Sequence, residues 1–284
     1  MRMGGRVAII TGGAGGIGAI VAGALAAEGT ALMLIGRSED RLQARAVALR
    51  SVGHKVTWLR ADVVEPEAMR AAVTTTVATY GAPDILVNCA GRYGPFGPIH
   101  RVDPQAWASN IRTNLIGTFN AIWAAVPAMI EGGRGGTIIN LSGGGSSRGR
   151  PTFSAYASSK TAVVRLTETV AKELQPYDIA VYVIAPGGVY TEMTEEVLRS
   201  AASVAPDDVT EAERIKATGG TPPERIGELA VFLASGAGRS LTGRFISAVW
   251  DDWEAMARQA NEAERLGEFY TLRRLVPPSE GERV

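Results

Sequence analysis

Tyr156 and Lys160 are separated by three residues in Tyr156-Ala157-Ser158-Ser159-Lys160. On a helix that spacing puts both side chains on one face, one turn apart. An ammonium beside a phenol favours the phenolate, so such a tyrosine can exchange a proton near neutral pH. Bringing a phenol into that range takes about 4 kcal/mol of differential stabilisation. An ordinary helix-surface pair is the competing reading. Composition weakens it: with 7 Tyr and lysines only at 55, 160, 172 and 216, chance pairs at this spacing are rare.

A second constellation is Thr11-Gly12-Gly13-Ala14-Gly15-Gly16-Ile17-Gly18. It satisfies G-x-G-x-x-G at 13, 15 and 18, and T-G-x-x-x-G-x-G at 12, 16 and 18. The apolar run 7–10 precedes it, and Ile17, Ile20, Val21, Ala24 and Leu25 follow at helical spacing, with Gly29 as a C-terminal cap. Glycines between a strand and a helix let the backbone turn tightly and approach a pyrophosphate, whose charge sits at the helix N-terminus. Gly accounts for 34 of 284 residues, well above the usual ~7%. The excess gathers at 12–18, 132–136 and 143–145, so it reflects local backbone devices and not low complexity.

The elements that must position these residues are legible as short apolar runs at 7–10, 31–35, 55–59, 84–88, 137–141, 180–184 and 244–250. Unbroken runs of this length suit strands buried on both faces of a parallel sheet. Helical patterns fill most intervals. Ser38 can cap a helix whose first turn carries Glu39 and Asp40, Pro66 opens another and Gly81 closes it. The alternation predicts an α/β fold, a doubly wound sheet of about seven parallel strands with helices on both faces. No linker, repeat or charge block divides residues 1–250, which are expected to form one domain. Residues 190–220 form a long polar, Ala-rich segment after the sixth run, a candidate lid. Residues 251–284 are an extension: Trp253, Met256, Ala257, Ala260 and Ala263 suggest an amphipathic helix, with an extended stretch at 270–278 behind it.

Composition excludes several classes. Lys+Arg 29 against Asp+Glu 29 leaves no net charge to draw nucleic acid or an acidic membrane. A lone Cys89 forbids an internal disulfide, and with only His54 and His100 no Cys/His metal cluster is expected. Apolar stretches reach roughly nine residues, short of the ~20 of a membrane span. The start of the chain lacks the apolar core of a secretory signal. The expectation is a soluble, cytoplasmic protein.

Taken together, the glycine motif, Asn88-Cys89-Ala90-Gly91, Asn114, Tyr156-x-x-x-Lys160 and Pro186-Gly187-Gly188-Val189-Tyr190-Thr191 follow the order of the short-chain dehydrogenase/reductase family, which the chain resembles over roughly residues 4–250. The resemblance implies a Rossmann-type sheet, a bound NAD(P)(H) and hydride transfer between nicotinamide and a carbonyl or secondary alcohol carbon. It assigns Tyr156 as general acid/base, Lys160 to the ribose hydroxyls and the acidity of the tyrosine, and Asn114 to a water-linked proton relay. It places Gly12, Gly16, Ile17 and Gly18 at the pyrophosphate, Asp62 and Val63 at the adenine, and Asn88, Ala90 and Gly91 beside the central ribose. Pro186, Gly187, Val189 and Thr191 fall near the nicotinamide. It also implies a small-molecule substrate and a homodimer or homotetramer. For Asp62 and Asn88, plain strand-end capping competes.

The family serine that meets the substrate oxygen stands about 13 residues before the tyrosine. Here that count reaches Gly143, and Ser142 lies one residue earlier. A one-residue shift reverses the face of a regular strand, so Ser142 serves only if the backbone bulges. Ser146 or Ser147 folding back, or a site with no such hydroxyl, are the alternatives. Cofactor choice turns on the end of the second run, where NAD-specific proteins carry an acid. Here Gly36 is followed by Arg37 and Ser38, which favours the 2′-phosphate of NADP(H) over NAD(H). Cys89 reads as a buried apolar residue, His100 as loop filler, and Phe153, Tyr190 and Met193 as pocket walls by position. Hydride transfer is thus the leading function. A dinucleotide-binding sensor or partner subunit with impaired turnover, or an epimerase or dehydratase acting through a transient ketone, are the alternatives.

Overall fold

A computed structural model describes residues 3–262 and 269–273. Seven strands, β1 (Val7–Thr11), β2 (Ala31–Gly36), β3 (Val56–Arg60), β4 (Ile85–Asn88), β5 (Gly136–Leu141), β6 (Ile179–Ala185) and β7 (Phe245–Ser247), form one sheet. Their order is β3-β2-β1-β4-β5-β6-β7, and every neighbouring pair is parallel. The helices are α1 (Gly16–Ala27), α2 (Glu39–Arg50), α3 (Pro66–Tyr80), α4 (Pro104–Ile111), α5 (Gly117–Gly132), α6 (Ser154–Leu174), α7 (Glu192–Ser200), α8 (Pro206–Thr218), α9 (Pro223–Ala234) and α10 (Trp253–Glu262). This is the Rossmann-type doubly wound sheet expected from the alternating runs.

The runs are apolar throughout because each strand faces a core on both sides. Leu32 and Leu34 of β2 pack with Val21 and Leu25 of α1 and Leu229 and Leu233 of α9. The intervening Met33 and Ile35 belong to the opposite core, with Met69 of α3, Leu86 of β4 and Ala125 of α5. Strand order reverses between β1 and β4, opening a crevice at their carboxyl ends where a ligand can enter. The glycine-rich turn and residues 89–91 both lie there.

Local signals behave unevenly. Pro66 opens α3 and Gly81 closes it with a φ of 92°. Ser38 occupies the cap position of α2, yet its side chain makes no capping hydrogen bond. The last strand is shorter than the apolar run 244–250. Asp251 accepts the Ser247 N–H at 2.7 Å, and the Ser247 hydroxyl accepts the N–H groups of Val249 and Trp250, turning the chain out of the sheet. Helices α4 and α5 join through a π-helical turn at Arg112–Ile116 into one stretch long and apolar enough, by length alone, to cross a membrane. Ala121, Ile122, Ala125 and Met129 of that stretch are instead buried against the sheet.

The segment 190–220 holds α7 and α8, whose Val197 and Ala212, with Ala201 and Ala205 between the helices, pack around Phe153 and Tyr156. Trp253, Met256 and Ala257 of α10 join the core beside α9, with Arg225 stacked 4.0 Å over the Trp253 ring. Farther on, Tyr270 accepts the backbone N–H of Phe245 at 2.8 Å. Ala263 and residues 274–278, assigned above to the helix and the extended stretch, lie outside the described residues.

One buried carboxylate ties the amino ends of the central strands. Asp84, 1% exposed, accepts the Val7 N–H at 2.8 Å and two bonds from Arg134 at 2.8 and 2.9 Å. Removing it strands a buried N–H, which costs about 1–3 kcal/mol. Asp84→Ala is therefore expected to lower urea-unfolding stability by about 2 kcal/mol, and Asp84→Asn, which retains an acceptor, by less. Equal losses would show that the Val7 bond contributes little.

Candidate active site

The glycine-rich turn is held by contact. Gly12 and Gly16 have φ of +65° and +51°, so the T-G-x-x-x-G-x-G register is the one that demands glycine conformations. A Cβ on Gly12 would lie 2.9 Å from the Ala90 backbone nitrogen, and one on Gly18 only 2.3 Å from the Gly12 carbonyl. The turn thus presses against the end of β4 and against its own helix. Gly12, Gly16, Ile17, Arg37, Ser38, Asp62, Val63, Ala90, Gly91 and Thr191 line one cleft of about 270 Å³. Gly18 is buried in α1 behind it, and Pro186 and Gly187 line a neighbouring cavity. Val189 pairs with Gly220 in an isolated antiparallel bridge.

At the outer end of the cleft Arg37 is exposed and Gly36 leaves the strand terminus without an acid. Arg41, one turn into α2, extends over the glycine turn: its Nη2 would stand 2.2 Å from a Cβ on Gly15. Its other nitrogen pairs with Glu192 at 2.6 Å. Asp62 accepts the Val64 N–H at 3.2 Å, so it caps its turn while facing the cleft.

The inner end is built from buried amides. Asn88 donates to Asn140 at 2.9 Å, and Asn140 donates to Thr167 of α6 at 2.9 Å, linking β4, β5 and α6. Asn114, fully buried in the π-helical turn, accepts the Arg92 N–H at 2.9 Å and donates towards Asn110 and Ser159. Asn110 in turn donates to the carbonyls of Tyr93 and Gly94 at 2.8 and 2.7 Å. Lys160 donates to the Leu141 carbonyl at 2.9 Å, and its nitrogen lies 5.8 Å from the Tyr156 ring centre. Gly91 keeps this junction open: a Cβ there would meet Asn114 Oδ1 at 3.2 Å and Lys160 Nζ at 3.6 Å.

Burial sets the titration of these groups. It pushes Lys160 down to about 8 and the Cys89 thiol up to about 12. Burial also raises the Tyr156 phenol well above its ordinary value; Tyr93 adds to the rise, and the cation that opposes it is Arg150.

Around Tyr156 the serine question has a geometric answer. The β5–β6 ladder runs in constant register to Leu141, and Ser142 continues it by donating to Ile184 at 2.8 Å, without a bulge. Gly143 faces the tyrosine: a Cβ on it would lie 2.0 Å from the Tyr156 hydroxyl. Ser142 keeps a buried hydroxyl without a hydrogen-bond partner, while the Ser146 hydroxyl donates to the Gly143 carbonyl at 2.9 Å. Ser147 lines a second cavity, of about 1290 Å³, with Tyr93, Gly143, Arg150, Asp208 and Trp250. Phe153 is buried beneath this wall, Met193 and Cys89 line the glycine-lined cleft, Tyr190 bonds Glu195, and His100 is an exposed turn residue.

Arg41, Tyr93, Asn110, Asn140 and Arg150 escaped the sequence reading. Arg41 carried one usable signal, its place one turn after Arg37. The pH dependence of stability tests the burial of Lys160. Its folded value near 8 lies below the ordinary lysine value, so between the two the unfolded chain binds more protons and stability rises with pH. Lys160→Met is expected to raise the urea midpoint near pH 7, with the advantage shrinking towards pH 10. An advantage independent of pH would contradict a buried ammonium.

Comparison with known proteins agrees with this geometry. The family model described as short chain dehydrogenase matches residues 6–202. The short-chain reductase protein NovJ of Streptomyces niveus is 36% identical over 248 residues, covering 84% of this chain and 91% of that protein. An actinorhodin polyketide ketoreductase crystallised with NADPH superposes with a TM-score of 0.78 at 27% identity, covering 87% of this chain and 96% of its own. Carveol dehydrogenase from Mycobacterium avium, in complex with NAD, gives the same TM-score and coverage at 28% identity. With the glycine turn, Asn114, Tyr156 and Lys160 gathered at one crevice, the chain belongs to the short-chain dehydrogenase family of oxidoreductases.

Proposed function

We propose that this chain reduces a carbonyl, or oxidises the corresponding secondary alcohol, with Tyr156 as general acid/base and NADP(H) preferred over NAD(H). The observation that carries the reading is the convergence of Asn114, Gly91 and Lys160 at the inner end of the glycine-lined cleft, with Tyr156 next to them on α6. An NADPH-bound ketoreductase and an NAD-bound dehydrogenase among the structural neighbours support the dinucleotide.

The close-packed glycine turn fits such a group, because Gly12 and Gly18 leave no room for a Cβ and the side chain lying over Gly15 at the start of α1 is a cation, Arg41. Gly12, Gly16, Ile17 and Gly18 would hold the pyrophosphate, Asp62 and Val63 the adenine, and Asn88, Ala90 and Gly91 the central ribose. Pro186, Gly187, Val189 and Thr191 would border the nicotinamide. Arg37 and Ser38, with Arg41 beside them, would take the 2′-phosphate. A bound nicotinamide dinucleotide supplies hydride exchange with the substrate carbon. Tyr156 gives a proton to the carbonyl oxygen in reduction and recovers it in oxidation. Lys160, its nitrogen 5.8 Å from the Tyr156 ring centre, would keep positive charge near the phenol and would hold the ribose hydroxyls. Asn114 is assigned to a water-linked relay that reprotonates the tyrosine through Lys160. Ser142, the serine nearest in sequence, lies in the strand phase opposite Gly143, so no role on the substrate oxygen is assigned to it.

The larger cavity would hold the small-molecule substrate, and α7 and α8 would act as its lid over a single domain of residues 1–250. Exposed Ile116 at the end of the π-helical turn, with Phe119 and Trp123 on α5, supports a homodimer or homotetramer. Gly143 in the place of the usual serine favours a second reading, a dinucleotide-binding sensor with impaired turnover.

Two measurements decide between these. Tyr156→Phe is expected to lower turnover of a ketone panel by about 10²–10⁴-fold while nicotinamide fluorescence shows cofactor binding intact. A wild type that binds cofactor but turns over no ketone or alcohol favours the sensor. In parallel titrations NADPH should bind more tightly than NADH, and Arg37→Ala should weaken NADPH alone, by about tenfold or more. Equal weakening of both would remove Arg37 as the phosphate ligand.

A further inference from the structure

The site as described has one proton-exchanging hydroxyl and lacks the second one that would fix the substrate oxygen. Residue 143 cannot supply it, since even a Cβ there would overlap the Tyr156 oxygen. Ser142 lies in the opposite phase of an unbulged ladder, and the Ser146 hydroxyl is committed to the Gly143 carbonyl. Tyr93 is placed differently. Its ring stands edge-on to Tyr156, centroids 4.5 Å apart, and the Arg150 guanidinium lies 5.4 Å from its ring centre. Tyr93 and Gly143 both line the large cavity, whereas Tyr156, 4% exposed, lies behind them. A carbonyl oxygen approaching Tyr156 from that cavity therefore passes Tyr93.

The surroundings of Tyr93 fix it in place. Its carbonyl accepts from Asn110 at 2.8 Å, and its ring meets Phe153 edge-on at 5.9 Å. Arg150 lies 3.7 Å over the Phe153 ring and is itself held by Asp208 of α8, through bonds of 3.1 and 2.7 Å. A phenol both donates and accepts, so the Tyr93 hydroxyl has a hydrogen to offer a carbonyl oxygen.

Building on the oxidoreductase reading above, we propose that Tyr93 is a second catalytic hydroxyl, donating a hydrogen bond to the substrate carbonyl oxygen in place of the missing serine, with Arg150 as its positioning residue. Proton transfer stays with Tyr156, and Tyr93 stabilises the charge that develops on the same oxygen.

The test uses 9,10-phenanthrenequinone as a carbonyl probe with saturating NADPH, and wild type, Tyr93→Phe, Tyr156→Phe, Arg150→Gln and Arg150→Lys variants. Tyr93→Phe keeps the ring and should lower kcat by about 10²-fold, with NADPH fluorescence titrations unchanged. A kcat within twofold of wild type overturns the proposal. Full activity of Tyr156→Phe would instead sink the underlying reading, so the two failures are distinct. Arg150→Gln should move the pH midpoint of kcat upward, since this cation is what lowers Tyr156, and Arg150→Lys should restore it. A fall in kcat with no shift in midpoint overturns the positioning role. Should the wild type not reduce the quinone, 13C-labelled tyrosine Cζ spectra of the NADPH-loaded protein replace the rates. Tyr93→Phe should displace the Tyr156 resonance, identified by its loss in Tyr156→Phe, and an unmoved resonance overturns the contact.

Discussion

The close fit between the Tyr156 oxygen and the backbone of Gly143 is the constraint around which the inner end of the site is arranged. A phenol can come this near the end of β5 only if that residue has no side chain. The register of β5 against β6 is regular up to this point, so the tyrosine is seated against a rigid edge. Beyond it the chain turns sharply, with both the backbone N–H and the hydroxyl of Ser146 donating to the Gly143 carbonyl. Edge-on aromatic neighbours complete the enclosure: Tyr93 against Tyr156, and Tyr93 and Phe96 against Phe153. Such pairs contribute roughly 0.5–1.5 kcal/mol each beyond their burial.

That seat holds only if the elements behind it do not slide, and two chains of buried amides prevent this. Asn88, Asn140 and Thr167 connect two strands to α6, the helix that carries Tyr156 and Lys160. Asn110, Asn114 and Ser159 connect the α4–α5 junction to the same helix and to the loop at 92–94. In a low-dielectric interior, satisfied networks of this kind specify one arrangement, because any slip strands several polar groups at once. The π-helical turn has a clear place in this scheme. By widening one turn it brings Asn114 towards Arg92 without ending the helix.

What the sequence made legible follows from periodicity and backbone chemistry. Strands buried on both faces read as unbroken apolar runs, and the seven-stranded order is the usual consequence of their alternation with helices. The glycine motif admitted two registers, and only the positive φ at Gly12 and Gly16 chooses between them. The run 244–250 overstated β7, because apolar composition continues past the point where Ser247 and Asp251 bend the chain away. The segment 190–220 read as polar because its packing face consists largely of alanines, which carry little hydropathy yet bury fully at 201, 205 and 212. Tyr93 and Arg150 were illegible for another reason. They lie in irregular loops with no period, far apart in sequence, and only the folded chain shows that they meet.

The same contacts make the attachment of the segment over the site uneven. Helix α7 is joined to the dinucleotide side through Glu192 and Arg41, whose side chains are 75% and 45% exposed. A pair so open to solvent contributes little, about 0–1 kcal/mol, and is screened by salt. Helix α8 is joined to the wall of the second cavity through Asp208 and Arg150, at 27% and 20% exposure, with the guanidinium also stacked on Phe153. Two bonds to one carboxylate oxygen, reduced solvation and an aromatic face make this the firmer link. The α7 end can therefore release its cation to an incoming anion at small cost, while the α8 end keeps Arg150 beside Tyr93. The two ends of the segment thus rest on ion pairs of different strength, while Glu195–Lys216 joins α7 to α8 and Glu196 accepts the Gly94 N–H.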